Sequence, residues 1–301
     1  MEKQVPSFYG YIPSKQLIGK GAYGEVHLFK KPVNPADQID GQPTVQNFAA
    51  KVILAKWVEK NKDNFNTEIS IMYTLDHPNI LKMHEYFEHN NYYVLILNYC
   101  NRGSLKDLIK RGPIPEPDAV YYLIQIINGF MELSKHKIFH RDIKPDNLLL
   151  HDDLLVIGDF GLSKAGVDLT ATKVGSPMYM APEILLTPEK AHYSCLVDIW
   201  SIGVTIYECI FGKPPFDVSD EDELKKAVIT QSSDYLKFPS KIPISDLAKD
   251  LLKKMIQPNP QKRIRLFDLL RHPLLKHAFS EGEKTDDGNP NSQSVLIRSH
   301  Q

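Results

Sequence analysis

A chain of 301 residues, 42% hydrophobic and 24% charged, is long enough to bury one large core or two small ones. Its formal net charge of −1 gives no electrostatic case for nucleic acid or an anionic membrane as the main partner, and its apolar runs are too short to span a bilayer. The three cysteines, Cys100, Cys195 and Cys209, are isolated, without metal-ligand spacing or a disulfide framework, and no apolar N-terminal signal is present; a soluble, cytoplasmic protein is expected.

Met1 to Tyr11 has no clear period and is expected to run over the surface. From Ile12 the pattern is strand, glycine turn, strand, through Q-L-I-G-K-G-A-Y-G-E-V-H-L-F. Gly19, Gly21 and Gly24 form G-x-G-x-x-G. In a dinucleotide-binding fold a helix follows such glycines. Here Val26, Leu28 and Lys30 alternate with other residues as a strand does. A hairpin folded over phosphates fits better, because bare backbone can approach an anion closely; an ordinary glycine hairpin is the competing reading. Lys31 to Gln46 is polar and Pro-rich and is expected to be a long, disordered connection.

A strand is predicted over Asn47–Leu54, carrying Lys51. Glu68, seventeen residues on, lies in T-E-I-S-I-M-Y-T-L, where Ile69, Met72 and Leu75 line one face of a helix. Glu68 sits beside that face, where it can pair with Lys51. Pro78 ends the helix by biasing His77 away from helical angles, and strands are predicted around Ile80–Phe87 and Tyr92–Leu97. The chain turns helical from Ser104. Pro117–Lys137 then carries Val120, Leu123, Ile124, Ile127, Phe130 and Met131 at helical spacing, with proline at its start.

The densest chemistry lies between His140 and Glu183: H-R-D-I-K-P-D-N, then D-F-G at Asp159, then A-P-E at Ala181, Pro182 and Glu183. Moving a phosphoryl group onto a hydroxyl asks for charge neutralisation and in-line positioning more than for covalent chemistry. Asp142 can accept the hydroxyl proton, Lys144 can neutralise the travelling group, and Asn147 with Asp159 can hold a divalent metal against phosphates. His140 reads as a brace for the loop and not as a metal ligand, and Arg141 as a fork suited to a phosphate. Leu154–Ile157 makes a short strand that delivers Asp159. The small and polar segment beyond it, with Thr170 and Thr172, suits a switch, because a phosphate adds about −1.5 to −2 charges and orders a loop by pairing with arginine. Leu196–Ile210 is apolar almost all round and belongs inside a domain; its acid, Asp198, is expected to bond the backbone of the catalytic loop. Helices around Glu221–Thr230, Ile244–Met255 and Leu266–Leu270 follow. The polar tail from Glu281 is expected to be disordered or a linker.

These runs, in this order and with the glycine hairpin and lysine strand upstream, resemble the signature set of the eukaryotic protein kinases. The resemblance covers about Tyr11 to Phe279. It implies an α+β, bilobal fold: a small, mostly antiparallel β lobe with one key helix (11–97), a joining segment (98–103) and a larger, mainly α-helical lobe (104–279), flanked by an extension (1–10) and a tail (280–301). ATP with Mg2+, or Mn2+, would sit between the lobes, and Asp142, Lys144, Lys51 and Glu68 would form the catalytic set. Ile18, Gly19, Lys20, Gly21, Gly24 and Val26 would cover the nucleotide. F-A-A-K looks like the family's V-A-I-K strand with Phe48 and Ala50 substituted; Ala49 would roof the adenine ring and Lys51 would reach the α- and β-phosphates. L-N-Y-C-N-R-G-S-L resembles the segment joining the lobes. By that match Leu97 guards the back of the adenine pocket, the Asn98 carbonyl and the Cys100 backbone bond adenine, and Leu149 forms the floor. The family commonly has Glu where Asn98 stands, and Cys100 would be a half-buried thiol at the pocket lip.

The resemblance further implies that Asn147 and Asp159 hold the metal, that Thr172 is the activation-loop phosphosite with Arg141 as one partner, and that an upstream activating kinase can act there. Ser176 would hydrogen-bond Asp142, and Glu183 would pair with Arg263 as a buried ion pair. Lys144 and G-S-P-M-Y-M-A-P-E look like the serine/threonine branch, so the implied substrates are proteins with Ser or Thr acceptors. The same segment with D-I-W-S-I-G-V-T-I-Y resembles the autophagy-initiating kinases, and the calcium/calmodulin-dependent and cell-cycle kinases come close. Leu162 goes with serine over threonine in the family. Ser104 stands where arginine-directed relatives carry an acid, so no strong demand for arginine three residues before the acceptor is expected. Asp146 and Glu208 leave room for basic residues nearer the acceptor. A non-catalytic scaffold on the same fold is the competing class; scaffolds typically lose one of Lys51, Glu68, Asp142, Asn147 and Asp159, and all five are present. A small-molecule or lipid kinase fits the A-P-E platform less well than an extended peptide does.

Overall fold

The computed structural model describes residues 10–21, 24–33, 45–166, 175–186, 194–216, 221–229 and 236–276. Residues 1–9, the tip of the glycine hairpin, most of the 31–46 connection, Thr170, Thr172 and the polar tail lie outside the described residues.

The small lobe is a five-stranded antiparallel sheet. Strands β1 (Ile12–Gly21), β2 (Gly24–Pro32) and β3 (Val45–Leu54) follow one another in a meander. Two helices come next, α1 (Ala55–Lys60) and α2 (Lys62–Thr74). They break at Asn61, whose φ of −128° leaves the helical region and whose Nδ2 donates to the Trp57 carbonyl. Strands β4 (Met83–His89) and β5 (Tyr92–Asn98) close the sheet in the order β1-β2-β3-β5-β4. Asn90 and Asn91 turn the last hairpin with positive φ at both positions, a conformation asparagine tolerates better than most residues.

The two-residue period of β3 and β5 divides the apolar residues between two cores. Ala49, Ile53, Leu95 and Leu97 face α2 and join the main core with Phe65, Ile69 and Met72. Phe48, Ala50, Val94 and Ile96 face the other way and are covered by Tyr11 and Phe29. Tyr11 is therefore buried, contrary to the surface position expected of it. Its ring packs edge-on against Phe48, and its hydroxyl donates to Glu85 at 2.6 Å. An apolar sheet face left open to water is costly, and the chain entering the fold supplies the cover.

The large lobe begins with α3 (Leu105–Ile109), started by a capping box in which Ser104 Oγ accepts from the Asp107 N–H and Asp107 accepts from the Ser104 N–H. Helix α4 (Glu116–Lys135) starts one residue before its predicted position and ends two before, with Lys137 at φ 54° where the chain turns off. The catalytic stretch follows as β6 (Ile138–Phe139), β7 (Leu148–His151), β8 (Leu154–Ile157) and β9 (Lys164–Ala165); β7 pairs with β8, and β6 with β9. Helices α5 (Pro182–Leu186), α6 (Cys195–Phe211), α7 (Glu221–Ile229), α8 (Asp246–Met255) and α9 (Leu266–Leu270) complete it. Helix α6 is buried from Val197 to Phe211, as its lack of a polar face requires, and α4 and α8 pack on it. Among the described residues no helix is long and apolar enough to cross a membrane.

The strand predicted from Ile80 begins only at Met83, because residues 79–81 pair with the large lobe instead. Leu81 N–H donates to the Ile157 carbonyl and Ile157 N–H to that of Asn79. The buried Asn79 side chain adds bonds to Gln125 of α4 and to the Leu155 carbonyl. This polar seam ties the end of the small lobe to β8, one residue before the turn that leads to Asp159.

Candidate active site

The register of the small sheet collects the roof of the cleft. Lys51 is paired across β3 with Val26 on one side and Leu95 on the other, and Ala49 with Leu28 and Leu97. Ala49 and Lys51 are two residues apart and so share a face of the sheet. Ile18, Gly19, Lys20 and Gly21 lie on β1 opposite Gly24 to Val26. Gly24 is required sterically: a Cβ there would stand 2.0 Å from the Val52 carbonyl oxygen. On the large-lobe side of the cleft, Leu149 of β7 packs within reach of Gly158. Asn98 ends β5, with its N–H donating to the Lys82 carbonyl and its Oδ1 2.6 Å from His84 Nε2. Its side chain is thus engaged away from its own backbone carbonyl.

Cys100 is half-buried, and burial pushes its thiol up to about 12. At neutral pH its thiolate fraction is then more than about a thousandfold below that of a free cysteine. Treatment with iodoacetamide at neutral pH is expected to leave Cys100 unmodified by peptide mass spectrometry while an added free thiol is consumed. Labelling of Cys100 at the free-thiol rate would rule this out.

Beneath the roof, Lys51 Nζ donates to Glu68 Oε1 at 2.7 Å and stands 3.7 Å from Asp159 Oδ1. Burial works to lower the Lys51 ammonium, but Glu68 and then Asp159 outweigh it and the group is raised. Glu68 is almost fully buried on α2. Desolvation likewise works against the Asp159 carboxylate, yet Lys51 first, then His140, the Gly161 N–H and Lys144, hold it below the ordinary carboxylate value. Asp159 is accordingly a stable anion with half of its side chain still open to solvent.

The catalytic loop runs from β6 to β7 and is fixed from below. Asp198, fully buried on α6, accepts from the His140 N–H at 3.0 Å and the Arg141 N–H at 2.9 Å. Burial raises its carboxyl above the ordinary value, against the pull of His140 and of the two N–H groups. His140 Nε2 donates to the Gly158 carbonyl, and the ring lies against Phe160 of D-F-G. No metal role is left for it. Arg141 (φ 71°) and Asp159 (φ 61°) both hold left-handed backbone, a conformation that clusters at functional sites.

Asp142 is the hub. Its Oδ2 accepts from Lys144 Nζ at 2.7 Å and from Asn147 Nδ2 at 2.9 Å, and its Oδ1 accepts from the Ser176 N–H at 3.0 Å. Lys144 Nζ also donates to Ser176 Oγ at 2.7 Å. The bond expected between Ser176 and Asp142 is therefore made by backbone, while the hydroxyl is taken by Lys144. Gly175 permits this approach: its φ is 104°, and a Cβ there would stand 2.6 Å from the Arg141 carbonyl oxygen. Because the amide nitrogen of Asn147 is committed to Asp142, its oxygen remains for a cation. Among the described residues no group of three His, Cys, Asp or Glu side chains could hold a metal. One carboxylate and one amide oxygen nevertheless suit a hard cation that takes its remaining ligands from water and phosphate.

The segment after Ser176 is anchored further down. Glu183 receives a two-pronged pair from Arg263 at 2.7 and 2.8 Å, as its motif implies. Glu208 departs from its expected role. It is not open to a substrate, because Lys106 and Tyr179 both donate to it. Nothing in the local sequence marks Lys106, since its partner lies 102 residues away. Thr172 falls outside the described residues.

A family model described as "Protein kinase domain" matches residues 12–275. The chain is 35% identical over 271 residues to Calcium-dependent protein kinase 4 of Plasmodium berghei (strain Anka), covering 87% of this chain and 48% of that protein. It is 37% identical over 243 residues to Serine/threonine-protein kinase DCLK3 of Homo sapiens (78% and 37%) and 35% identical over 226 residues to Serine/threonine-protein kinase ATG1a of Arabidopsis thaliana (72% and 35%). The chain thus spans about half or less of the length of these relatives.

Proposed function

The chain belongs to the protein kinase family, in its serine/threonine branch, and on that premise we propose that it transfers the γ-phosphoryl group of ATP to serine or threonine hydroxyls of protein substrates. The observation that carries the proposal is the joined constellation of Lys51 on Glu68, 3.7 Å from Asp159, with Asp142 bonded to Lys144, Asn147 and Ser176.

In this reading the nucleotide lies under Ala49, Val26 and Leu97 and over Leu149, with its adenine edge on the backbone of Asn98 and Cys100. Lys51, kept cationic by two carboxylates, holds the α- and β-phosphates. Asp142 accepts the proton of the acceptor hydroxyl as the new oxygen–phosphorus bond forms and the bond to the ADP oxygen breaks. Its carboxylate is oriented before the reaction, because three donors fix it. Lys144 spans Asp142 and the Ser176 hydroxyl and neutralises charge on the moving group. A magnesium ion bound to Asp159 and the oxygen of Asn147 would supply further neutralisation at the phosphates. The segment 175–183 forms the ledge for the acceptor peptide. Phosphorylation of Thr172 by another kinase or by the protein itself, read by Arg141, is the regulatory part of the proposal.

The test is to incubate the purified protein and a carrier protein with ATP and magnesium and to map phosphate by mass spectrometry. Phosphate on Ser and Thr, with Thr172 among the modified sites, is expected. Binding of ATP with no transfer would favour the scaffold.

A further inference from the structure

Glu208 lies one turn from the end of α6 and is 1% exposed. Both of its oxygens are taken. Lys106 Nζ donates to Oε1 at 2.5 Å, and the Tyr179 hydroxyl donates to Oε2 at 2.5 Å. These partners place the carboxylate beside the catalytic loop. Helix α3, which carries Lys106, packs against the 145–147 turn that follows Lys144. Tyr179 stands three residues past Ser176, whose N–H is bonded to Asp142. Ser201 Oγ donates to the Tyr179 carbonyl and holds that residue against α6. The acid thus sits at the edge of the surface where a peptide must lie to present its hydroxyl to Asp142.

The two partners differ in exposure. The Glu208 side chain is 2% exposed, whereas that of Lys106 is 31% exposed. The ammonium closes the solvent side of a buried anion. A lysine or arginine of a bound peptide, arriving from that side, would meet its own charge and not its complement. To reach Glu208 it would have to expel Lys106 into water and remake the same contact, which leaves little net gain. A second acid, Asp107 on α3, is likewise engaged, by Ser104 and Lys110. Asp146, in the catalytic loop, remains exposed.

We infer that Lys106 is a specificity-determining residue: it fills, with the protein's own ammonium, an acidic subsite that Glu208 would otherwise offer to a basic side chain flanking the acceptor. Substrates are accordingly selected without a basic residue at that position, and any preference for positive charge comes from Asp146. This inference rests on the phosphoryl-transfer reading above and concerns only which peptides are chosen.

An arrayed peptide library phosphorylated by wild type, Lys106→Gln, Glu208→Gln and the double variant tests it. Glutamine at position 106 takes the ammonium away from Glu208, so that an incoming basic side chain meets an anion without its cation. Lys106→Gln is expected to acquire a preference for Arg or Lys at a flanking position where wild type has none, by about tenfold, the yield of one hydrogen bond to a charged group. The double variant is expected to lose it. Glu208→Gln alone is expected to keep the wild-type profile, which supplies an arm independent of how well Lys106→Gln folds. An unchanged profile in Lys106→Gln, a new preference that survives in the double variant, or loss of a basic preference in Glu208→Gln overturns the inference. If wild type transfers phosphate and these patterns fail, only the subsite assignment falls. If wild type transfers none, the phosphoryl-transfer reading falls and the subsite with it.

Discussion

Asp142→Asn is expected to slow phosphoryl transfer to a peptide by about 10²–10⁴-fold, the range for loss of a positioned general base. The substitution keeps the shape of the side chain and one oxygen for the Lys144 and Asn147 contacts, and gives up the oxygen that accepts from the Ser176 N–H. What it removes is the anionic oxygen that takes the hydroxyl proton. The Lys51–Glu68 pair is untouched, so the affinity for ATP, read as the midpoint of a nucleotide titration by thermal shift, is expected to hold. Single-turnover transfer with the nucleotide saturating isolates the chemical step. Unchanged transfer would show that Asp142 is not the base. A parallel loss of nucleotide affinity would show that the site had been distorted.

The second large effect concerns stability. Arg263→Ala is expected to cost about 3–5 kcal/mol, the cost of breaking a buried ion pair from one side. The Arg263 side chain has no exposed surface. It donates to both oxygens of Glu183 and to the carbonyls of Gln257 and Leu196, and it lies over the Trp200 ring. Removing it takes away the guanidinium that grips both Glu183 oxygens and the donors that it gives to the Gln257 and Leu196 carbonyls. A fall in Tm on the order of 10 °C should follow for a lobe of this size. Replacing both partners, as Glu183→Gln with Arg263→Met, is expected to cost less than the single change, because no charge is then stranded. Equal losses from the single and double variants would mean that packing against Trp200, and not charge, is what Arg263 contributes. Glu183 closes the segment that starts at Ser176, so the same variant should also weaken transfer without altering Asp142.

Residues whose task is set by nearby chain were readable in advance. The strand period of Val26 and Leu28 separated the glycine hairpin from a strand–helix phosphate site, and β2 is a strand. The continuous apolar run of α6 announces its burial, and its first acid, Asp198, bonds the catalytic-loop backbone as expected. What escaped was decided by distant partners. The six residues of α1 are too few to show a helical period, and the two-residue strands β6 and β9 show no alternation at all. The delayed start of β4 depends on Ile157 claiming the backbone of residues 79–81, which no local pattern encodes. The lead-in Met1–Tyr11 shows no period that would single out Tyr11 among its aromatic residues; only the open face of the sheet explains its burial. The exchange of partners at Ser176 depends on the reach of Lys144, whose ammonium bonds both Asp142 and the Ser176 hydroxyl.

Asp198 has a mechanical consequence. It clamps two consecutive amides of the catalytic loop to a helix that is buried from Val197 to Phe211. The lower jaw of the cleft is thereby tied directly to the core of the large lobe. Lys51 and Glu68 belong to the upper jaw, on β3 and α2, and are joined to each other by a hydrogen bond of 2.7 Å. Among the described residues that pair meets the lower jaw through one loose ionic contact, from Lys51 to Asp159 at 3.7 Å. It can part and re-form with little resistance, like a latch that is meant to be opened.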